Sequence, residues 1–548
     1  MSAIDLTGSL EARLLNLRDE VRRRRSFAII SHPDAGKTTL TEKLLLFSGA
    51  VHAAGSVRPK KNRGHATSDW MEMEQARGIS ITSTVLQFEH DGCLFNLLDT
   101  PGHQDFSEDT YRTLTAADSA VMVLDAAKGI EAQTKKLFAV CRMRQTPILT
   151  FINKLDMPGL EPLELLDEIE RVLGVAACPV NWPVGYGGQF RGVVDRATRT
   201  LVEYHGGAGG ALRPDAELVA VDSPAFDAEV GPALASKVRD ELDLLEGATP
   251  RFDPEAFRAG TQTPVYFGSA LKNFGIDRLL EALVHLAPSP LPRRCLTNGP
   301  VIPDKPGFSA FVFKIQGNMD PNHRDTMAVL RICSGRFERD MLVHHARLGK
   351  KFRMTRLHRL FARDRETVDE AFAGDVVGVV NPGMFLIGDT LSAEPGIEYD
   401  KIPSFEPEHF AVLRCEDMAR NKQFRKGVTQ LAEEGIVQVY HAIHSGRREP
   451  ILGAVGRLQF DVVESRMWQE YGARVKAIPV DYFCARWLLA DAARLAKVKW
   501  PSTGVTLAED QHGAPVCLFN SKWDLSMLSR ENPDIQLSVT GAHAQSRE

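Results

Sequence analysis

An apolar run at Phe27–Ile30 leads into a short loop and then into a helical pattern that begins near Leu40. The loop consists of Ser31, His32, Pro33, Asp34, Ala35, Gly36, Lys37, Thr38 and Thr39. A strand, a loop ending in Gly-Lys-Thr and a helix are the context in which backbone N–H groups and a helix N-terminus hold phosphates. This order predicts an α/β domain with a phosphate-binding loop.

Two side chains of this loop have expected chemical roles. Lys37 would reach the β- and γ-phosphates of a nucleotide, and the Thr38 hydroxyl would coordinate Mg²⁺. Ser31 stands where the general motif has glycine, but serine is small enough for a tight turn. The alternative is a chance Gly-Lys-Thr at the start of a helix, so further motifs are needed to decide.

A second motif follows the apolar run Leu94–Leu98 and consists of Asp99, Thr100, Pro101, Gly102 and His103. Its acid stands at the carboxyl end of a buried strand, where open α/β sheets bind ligands. We expect Asp99 to hold the Mg²⁺ shell, through water, and the Gly102 N–H to sense the γ-phosphate. The alternative for Asp99 is an aspartate in an ordinary turn.

A third motif selects the base. The run Ile148–Ile152 is followed by Asn153, Lys154, Leu155 and Asp156. The Asp156 carboxylate can accept from both N1–H and the 2-amino group of guanine, a donor pair that adenine lacks, so GTP is favoured over ATP. Lys154 would pack along the base, and Asn153 would tie this loop to the phosphate loop.

The pocket would be completed after the run Val265–Phe267, where Gly268, Ser269 and Ala270 offer a backbone N–H to guanine O6. Each short motif is weak alone. In this order, each after its own predicted strand, they indicate a guanine nucleotide site for GTP or GDP with Mg²⁺.

The chain divides into three predicted domains. Alternating strand and helix patterns over residues 1–290 predict a mostly parallel sheet, with a short helix at 6–24 and an insertion near 184–260. The proline-rich segment Ala287–Pro292 marks the boundary. Short apolar runs separated by turns predict an all-β barrel at 305–398, and mixed signals predict an α+β domain at 401–548.

Composition excludes several other classes. The net charge of -5 gives no chain-wide basic field, and the eight cysteines include no CxxC pair that would suggest zinc. The charged N-terminus lacks the apolar core of a signal peptide, and no run of about 18 apolar residues is present. We therefore expect a cytoplasmic protein without membrane association, and a monomer.

The three motifs together resemble those of the translational GTPases, the elongation and release factors of the ribosome, over nearly the whole chain. Arg77–Thr82 is similar to their first switch segment, whose hydroxyl completes the Mg²⁺ shell. Most of the family has threonine where this chain has Ser80. Strand alternation would put Ser80 and Thr82 on one face, so Ser80 is the expected ligand and Thr82 the second choice; the alternative is a half-buried strand that meets water.

This resemblance also implies that His103 is catalytic. In the family reading its imidazole orients the attacking water once the ribosome positions it, while charge neutralisation comes from Lys37 and Mg²⁺. Two basic clusters, Arg58–Arg63 and Lys350–Arg359, are candidate rRNA contacts. A solvated charged face is an equally good explanation for each.

Within the family, the similarity is strongest to the class II release factors. The stretches that carry it are Ser31–Thr39, Ser68–Glu74, Asp105–Leu114 and Gly453–Val463. It implies a ribosome-stimulated GTPase that promotes dissociation of class I release factors after peptide release. The alternatives are a translocase-like or ribosome-protection GTPase, which the chain length and Ser80 disfavour, and a nucleotide-gated binding module that hydrolyses little GTP.

Overall fold

The computed structural model describes residues 14–50, 73–74, 79–204, 216–297, 299–317, 325–362, 364–402, 404–443, 449–490, 492–495, 498–501 and 503–539. The basic cluster Arg58–Arg63, residues 77 and 78 of the first switch segment and the first part of the predicted helix 6–24 lie outside these residues. The described part of that helix, α1, covers residues 14–22. Arg24 and Arg25, predicted at the helix end, instead begin the first strand.

The first part of the chain alternates strands with helices. Its strands, in chain order, are β1 (Arg24–Ser31), β2 (Thr84–His90), β3 (Cys93–Asp99), β4 (Ser119–Asp125), β5 (Ile148–Asn153), β6 (Ala176–Pro179), β7 (Asn181–Val184), β8 (Gly192–Asp195), β9 (Thr200–Tyr204), β10 (Ala216–Ala220) and β11 (Gln262–Phe267). The helices after α1 are α2 (Lys37–Phe47), α3 (Ser107–Leu114), α4 (Ala132–Met143), α5 (Pro162–Leu173), α6 (Pro224–Val230), α7 (Pro232–Ala248), α8 (Pro254–Arg258) and α9 (Ile276–Leu286).

The central sheet has the order β2-β3-β1-β4-β5-β11-β6, and all neighbours except β2 and β3 run parallel. Its inner strands contain apolar runs that are buried on both sides, because helices cover both faces of the sheet. Alternate residues of β1 point to opposite sides: Phe27 and Ile29 pack with α2 and α9, whereas Ala28 and Ile30 pack with α4 and α5. The parallel strands therefore end at one common edge, which carries the predicted motifs.

A four-stranded antiparallel sheet, β10-β9-β8-β7, leaves the central sheet after β6. Strands β8 and β9 form a hairpin, in which they pair antiparallel and Asp195 lies opposite Thr200 across the turn. Helices α6 and α7 follow this sheet, and the chain then returns to the central sheet through β11.

Residues 309–392 form a β-rich region. Its strands are β12 (Ser309–Gly317), β13 (Thr326–Ser334), β14 (Arg336–Glu338), β15 (Met341–His345), β16 (Lys350–Met354), β17 (Leu357–Phe361), β18 (Asp364–Val368), β19 (Glu370–Phe372), β20 (Val376–Asn381) and β21 (Thr390–Ser392). All of their described pairings are antiparallel. A bridge between Phe361 of β17 and Leu86 of β2 joins this region to the central sheet.

The last region combines an antiparallel sheet with helices. Its strands are β22 (His409–Cys415), β23 (Gln438–Ala442), β24 (Ile451–Ala454), β25 (Val475–Val480), β26 (Cys484–Leu489), β27 (Val505–Asp510), β28 (Pro515–Phe519) and β29 (Gln536–Ser538). Its helices are α10 (Asn421–Glu433), α11 (Leu458–Tyr471), α12 (Ala492–Leu495) and α13 (Lys522–Glu531). The predicted fold class, a parallel α/β domain followed by β-rich and α+β regions, is confirmed.

Candidate nucleotide site

The phosphate loop connects β1 directly to α2, which begins at Lys37, three residues before the predicted start. Asp34 and Gly36 both have positive φ, 65° and 94°. A Cβ on Gly36 would come within 2.3 Å of the Asn153 amide nitrogen, so only glycine fits this position. No side chain caps the N-terminus of α2. The first N–H groups of this helix are therefore available to an anion.

Lys37 and Asp99 form a buried ion pair at the common edge of β1 and β3. The Lys37 Nζ lies 2.7 Å from Asp99 Oδ1, and the side chains are 6% and 2% exposed. The other carboxylate oxygen, Asp99 Oδ2, and the hydroxyl of Ser31 are buried without a hydrogen-bond partner among the described residues. Thr38, the next residue after Lys37, is half-buried. Unpaired acceptors beside a cation are groups that a metal ion or its water ligands would satisfy.

The second motif packs closely on the phosphate loop. The Thr100 hydroxyl donates to the Ile29 carbonyl at 2.6 Å, which holds the start of this segment against β1. A Cβ on Gly102 would lie 3.4 Å from Pro33 Cα, so the two loops are in close contact at this glycine. Pro101, the residue before it, is buried.

His103 follows this contact and is fixed through one ring nitrogen. Its Nδ1 accepts from the Asp105 N–H at 3.2 Å and so caps the 3₁₀ turn Gln104–Phe106. The side chain is 30% exposed. Asp105 Oδ1 also lies 3.2 Å from His103 Nδ1, so Asp105 contacts this nitrogen in either neutral tautomer of the ring.

Asn153 connects three loops. Its amide nitrogen donates to the Ala35 carbonyl at 2.9 Å, and its oxygen accepts from the Ala270 N–H at 2.8 Å. The Ser269 N–H donates to the Phe274 carbonyl at 3.1 Å and the Gly268 N–H to the Ile152 carbonyl at 2.9 Å, so the N–H groups of all three predicted O6-binding residues already have acceptors. Asn153 therefore sets the spacing between the phosphate loop and the loop after β11.

Lys154 and Asp156 occupy the turn after β5. Lys154 has a φ of 69°, and its Nζ donates to the Asp34 carbonyl and, at 2.9 Å, to Asp125 Oδ2. Asp156 is half-buried in the next turn, which the Leu155 N–H ties to the Gly268 carbonyl at 3.2 Å. The base-side motifs thus converge on one edge of the sheet with the phosphate-side motifs.

The sequence reasoning missed Asp125 and Glu131. Asp125 ends β4 and accepts from Lys154 and, at 2.9 Å, from the Ala127 N–H. An aspartate directly after the apolar run 120–124 was the same signal that identified Asp99, and it could have found Asp125. Glu131 Oε1 lies 3.2 Å from His32 Nε2, and no sequence signal pointed to that pair.

The first switch segment is irregular in structure, not the strand that alternation suggested. Residues 79–83 belong to no strand, and β2 begins only at Thr84. Glu74 Oε1 holds this backbone by accepting from the N–H groups of Ile81, at 2.9 Å, and Thr82, at 3.1 Å. A carboxylate that receives two backbone N–H groups can replace the strand ladder, so alternation does not apply to Ser80 and Thr82 here.

Helix α3 and the 3₁₀ turn Gln104–Phe106 before it contact the last region of the chain. Asp105 Oδ2 accepts from the Leu458 N–H at 2.9 Å, and Arg112 donates to the Gly435 carbonyl at 3.1 Å. Phe106 packs in an apolar cluster that contains Ile81 of the first switch segment and Val462 of α11. The two segments nearest the expected γ-phosphate therefore share a core with the third region.

A buried polar cluster joins the same segments to the β-rich region. Asp109 accepts from the Ser83 N–H at 2.6 Å and from its hydroxyl at 2.8 Å, and lies 3.5 Å from the Lys314 Nζ. Although burial opposes ionisation, Lys314 and the hydrogen bonds from Ser83 hold the pKa of the Asp109 carboxyl below its usual value.

The predicted basic cluster at 350–359 lies on β16 and the start of β17. Its cationic side chains are exposed, namely those of Lys350, Lys351, Arg353, Arg356 and Arg359. Among the described residues, no helix is long and apolar enough to cross a membrane.

Comparison with known proteins identifies the family. Residues 22–289 match the family model "Elongation factor Tu GTP binding domain", residues 307–394 match "Elongation factor G domain 2", and residues 399–529 match "Class II release factor RF3, C-terminal domain". A protein named peptide chain release factor 3 from Gloeobacter violaceus is 54% identical over 94% of this chain and 97% of its own length. The chain belongs to the peptide chain release factor 3 family.

A second release factor 3 relative, from Cyanothece sp., is 51% identical and aligns over 97% of both chains. A crystal structure of a Thermus thermophilus protein has the same fold, with a TM-score of 0.67 at 23% identity over 89% of this chain and 72% of that one. As a member of the release factor 3 family, the chain is a GTPase, a hydrolase that binds guanine nucleotide and acts in translation termination.

Proposed function

We propose that this chain hydrolyses GTP with Mg²⁺ when it is bound to the ribosome, and that its GTP-bound form promotes dissociation of class I release factors after peptide release. The observation that carries the nucleotide part is the Lys37–Asp99 pair with its unpaired Asp99 oxygen, placed beside an uncapped helix N-terminus. Family membership supports the termination part.

The residues present fit a magnesium ion. Thr38, Asp99 and the first switch segment would supply its ligands, with Ser80 as the first choice there and Thr82 as the second. Bound Mg²⁺ neutralises charge that develops on the phosphates during transfer. Lys37 would turn from Asp99 toward the β- and γ-phosphates, which leaves both Asp99 oxygens to the ion and its waters.

Phosphate contacts would come from the backbone of Ser31–Thr39 and from the Gly102 N–H. The close approach of Gly102 to Pro33 supports this assignment, because a phosphate on the first loop would lie beside the second. Thr100, Pro101 and His32 would hold the shape of the two loops without touching the reacting atoms.

Guanine would be recognised by Asp156, with Lys154 packed along the base. Asn153 would fix the distance between the phosphate and base loops, as its bonds to Ala35 and Ala270 support. Guanine O6 would share the Ala270 N–H with Asn153 in this arrangement, while Ser269 would shape the loop.

His103 would orient the attacking water. Its ring is held by the Asp105 N–H at Nδ1, so Nε2 is left to contact the water or a phosphate oxygen. The partly exposed position of the ring supports a role that is completed only by an external surface, here the ribosome. Positioning of this kind contributes to the rate without changing how tightly GTP binds.

The energy for class I factor release would come from differential binding, since a ligand shifts an equilibrium only as far as it prefers one state. The GTP form would prefer the ribosome conformation that holds the class I factor weakly. The shared core of Ile81, Phe106 and Val462 supports this scheme, because it links both switch segments to the third region.

Dissociation of a labelled class I factor from termination complexes tests the scheme. With GTP, this chain should speed departure of the factor; a non-hydrolysable analogue should also speed it but retain the chain on the ribosome. GDP should do neither. If the chain instead accelerates tRNA movement in elongating complexes and leaves the class I factor unaffected, a translocase-like function replaces this one.

A further inference from the structure

A cavity of about 970 Å³ lies where the four-stranded sheet diverges from the central sheet. Its walls come from the end of β6, the turn after β8, the C-terminal part of α7 and one face of α9. None of the residues assigned to the GTP site lines it. Its volume falls within the range of small-molecule sites.

Four arginines face this cavity, and they differ in how well their charges are balanced. Arg199 lies within 3.3 Å of three carboxylates, those of Asp222, Asp243 and Glu246. By contrast, Arg196 and Arg251 have no ion pair with any described residue. These two guanidinium groups therefore have no described carboxylate within ion-pair distance, although the Glu246 carboxylate acts on Arg196 at longer range.

Arg196 and Arg278 are only partly satisfied. Arg196 donates to a neutral group, the Pro179 carbonyl, at 2.7 Å. Its pKa is lowered, chiefly because burial penalises its charge. Arg278 Nη1 lies 3.1 Å from a Glu281 carboxylate oxygen and 3.7 Å from an Asp195 carboxylate oxygen, but its Nε is buried without a hydrogen-bond partner among the described residues.

Aromatic side chains form part of the remaining wall, with Tyr266 buried and Phe252 half-buried. A concave pocket that combines unpaired guanidinium groups with aromatic surface suits a compact anion. Guanidinium forks match phosphate oxygens in bidentate geometry, which gives both strength and orientation.

We propose that this arginine pocket, lined by Arg196, Arg251 and Arg278, binds a small phosphate-bearing molecule at a site separate from the GTP site. The phosphate groups would complete the hydrogen bonding of Arg278 Nε and supply the missing counter-charge to Arg196 and Arg251. Glu281 competes with such a ligand because it holds one nitrogen of Arg278.

Calorimetric titration of inorganic pyrophosphate into the full chain tests the site, with GDP at saturation and no added Mg²⁺. GDP occupies the α- and β-phosphate positions of the phosphate loop, so the arginine variants decide whether the remaining pyrophosphate binding lies in the arginine pocket. We expect one pyrophosphate per chain. Arg196→Gln and Arg278→Gln should each weaken binding about tenfold, the scale of a lost charge-assisted hydrogen bond. The control Arg171→Gln, at a side chain 71% exposed on α5, should leave binding unchanged.

Glu281→Gln gives a test in the opposite direction. Removal of the competing carboxylate charge should tighten pyrophosphate binding by roughly threefold. An arginine variant that no longer binds GDP has failed to fold. In that case the Glu281 variant alone decides whether the arginine pocket binds pyrophosphate. No binding of pyrophosphate, equal binding by the arginine variants, or binding of a hexaglutamate peptide in place of pyrophosphate would each overturn the proposal.

Discussion

The buried charges at the seam between the central sheet and the β-rich region differ from those in the nucleotide site. At the seam, Asp118 Oδ2 accepts from an Nη of Arg331 at 2.5 Å, and Asp118 Oδ1 accepts from the backbone N–H of Leu291 at 3.2 Å. Asp375 Oδ1 accepts from Arg24 Nε at 2.7 Å, and Asp375 Oδ2 accepts from the backbone N–H of Phe372 at 2.8 Å. All four oxygens of these two carboxylates therefore have donors.

In the nucleotide site, the comparable acid is Asp99, and only one of its carboxylate oxygens has a donor among the described residues. Asp99 pairs with Lys37 through Oδ1, and its Oδ2 is buried without a partner among the described residues. A saturated pair holds two regions together, whereas an unsaturated pair retains a position for a ligand. Substitutions at the seam should therefore change stability, and substitutions in the nucleotide site should change binding or rate.

The largest expected effect is at the seam. Arg331→Met should lower the free energy of unfolding by about 3–5 kcal/mol, because it leaves Asp118 charged and buried without its partner. Urea denaturation measures this loss. The affinity for GDP, measured on the folded variant, should stay within about twofold of the parent because Arg331 contacts no nucleotide-site residue.

The matched control is Arg339→Met, which breaks an exposed pair with Asp369 in the same β-rich region. Surface pairs contribute about 0–1 kcal/mol, so this variant should be nearly as stable as the parent. Equal losses of unfolding free energy in the two variants would mean that burial of the Asp118–Arg331 pair adds nothing to stability. The proposed difference between the seam and the nucleotide site would then be wrong.

Asp156→Asn should show the reverse pattern. Loss of the carboxylate that accepts from both guanine donors should weaken guanine nucleotide binding by about 3 kcal/mol, with little change in the unfolding midpoint. Affinity for xanthine nucleotides should rise, since their base presents an acceptor where guanine presents a donor. Direct titration of GDP and xanthosine diphosphate measures both, and Asp167→Asn, at a side chain 79% exposed on α5, is the control. Unchanged GDP affinity would remove Asp156 from the site.

His103→Ala should affect neither stability nor binding but should lower ribosome-stimulated GTP turnover by roughly 10²-fold, the scale of a positioning group. Single-turnover hydrolysis with saturating ribosomes measures the chemical step. The control His441→Ala replaces an exposed histidine of β23 and should retain the parent rate. Full stimulated turnover in the His103 variant would refute the catalytic assignment.

The sequence predicted that the nucleotide motifs follow parallel strands, because each motif adjoins its own apolar run in the chain. Asp99 and Asn153 each end a strand that apolar runs identify, and parallel strands bring such ends together. The fold class followed from the same alternation. These features depend on residues that are close together in the sequence, and the periodicity of apolar residues reveals local structure of that kind.

Contacts between distant segments were not predictable in this way. The Asp118–Arg331 pair joins residues 213 positions apart, and no pattern marks either partner. The strand expected at 79–82 was wrong because Glu74 satisfies that backbone instead of a neighbouring strand. The arginine pocket likewise depends on side chains from β6, α7 and α9 that only the fold assembles.

The smallest expected effect is at the contact between Gly456 of the last region and Asp105, which lies next to the nucleotide site. A Cβ on Gly456 would lie 2.0 Å from the Asp105 carboxyl carbon, so Gly456→Ala must displace that side chain and break its bond to the Leu458 N–H. We expect a loss of about 1–2 kcal/mol of unfolding free energy, the cost of one hydrogen bond to a charged group.

Gly456→Ala should also lower ribosome-stimulated turnover, by less than about tenfold, because the Asp105 backbone that would shift is the donor to His103 Nδ1. The control is Gly247→Ala, a helical glycine of α7 with open space around the new Cβ, which should be neutral or slightly stabilising. A Gly456 variant that loses stability but keeps the full rate would assign this contact to the seam alone. One that loses rate at unchanged stability would assign it to the nucleotide site. Loss of both is the outcome expected if the third region acts on hydrolysis through Asp105.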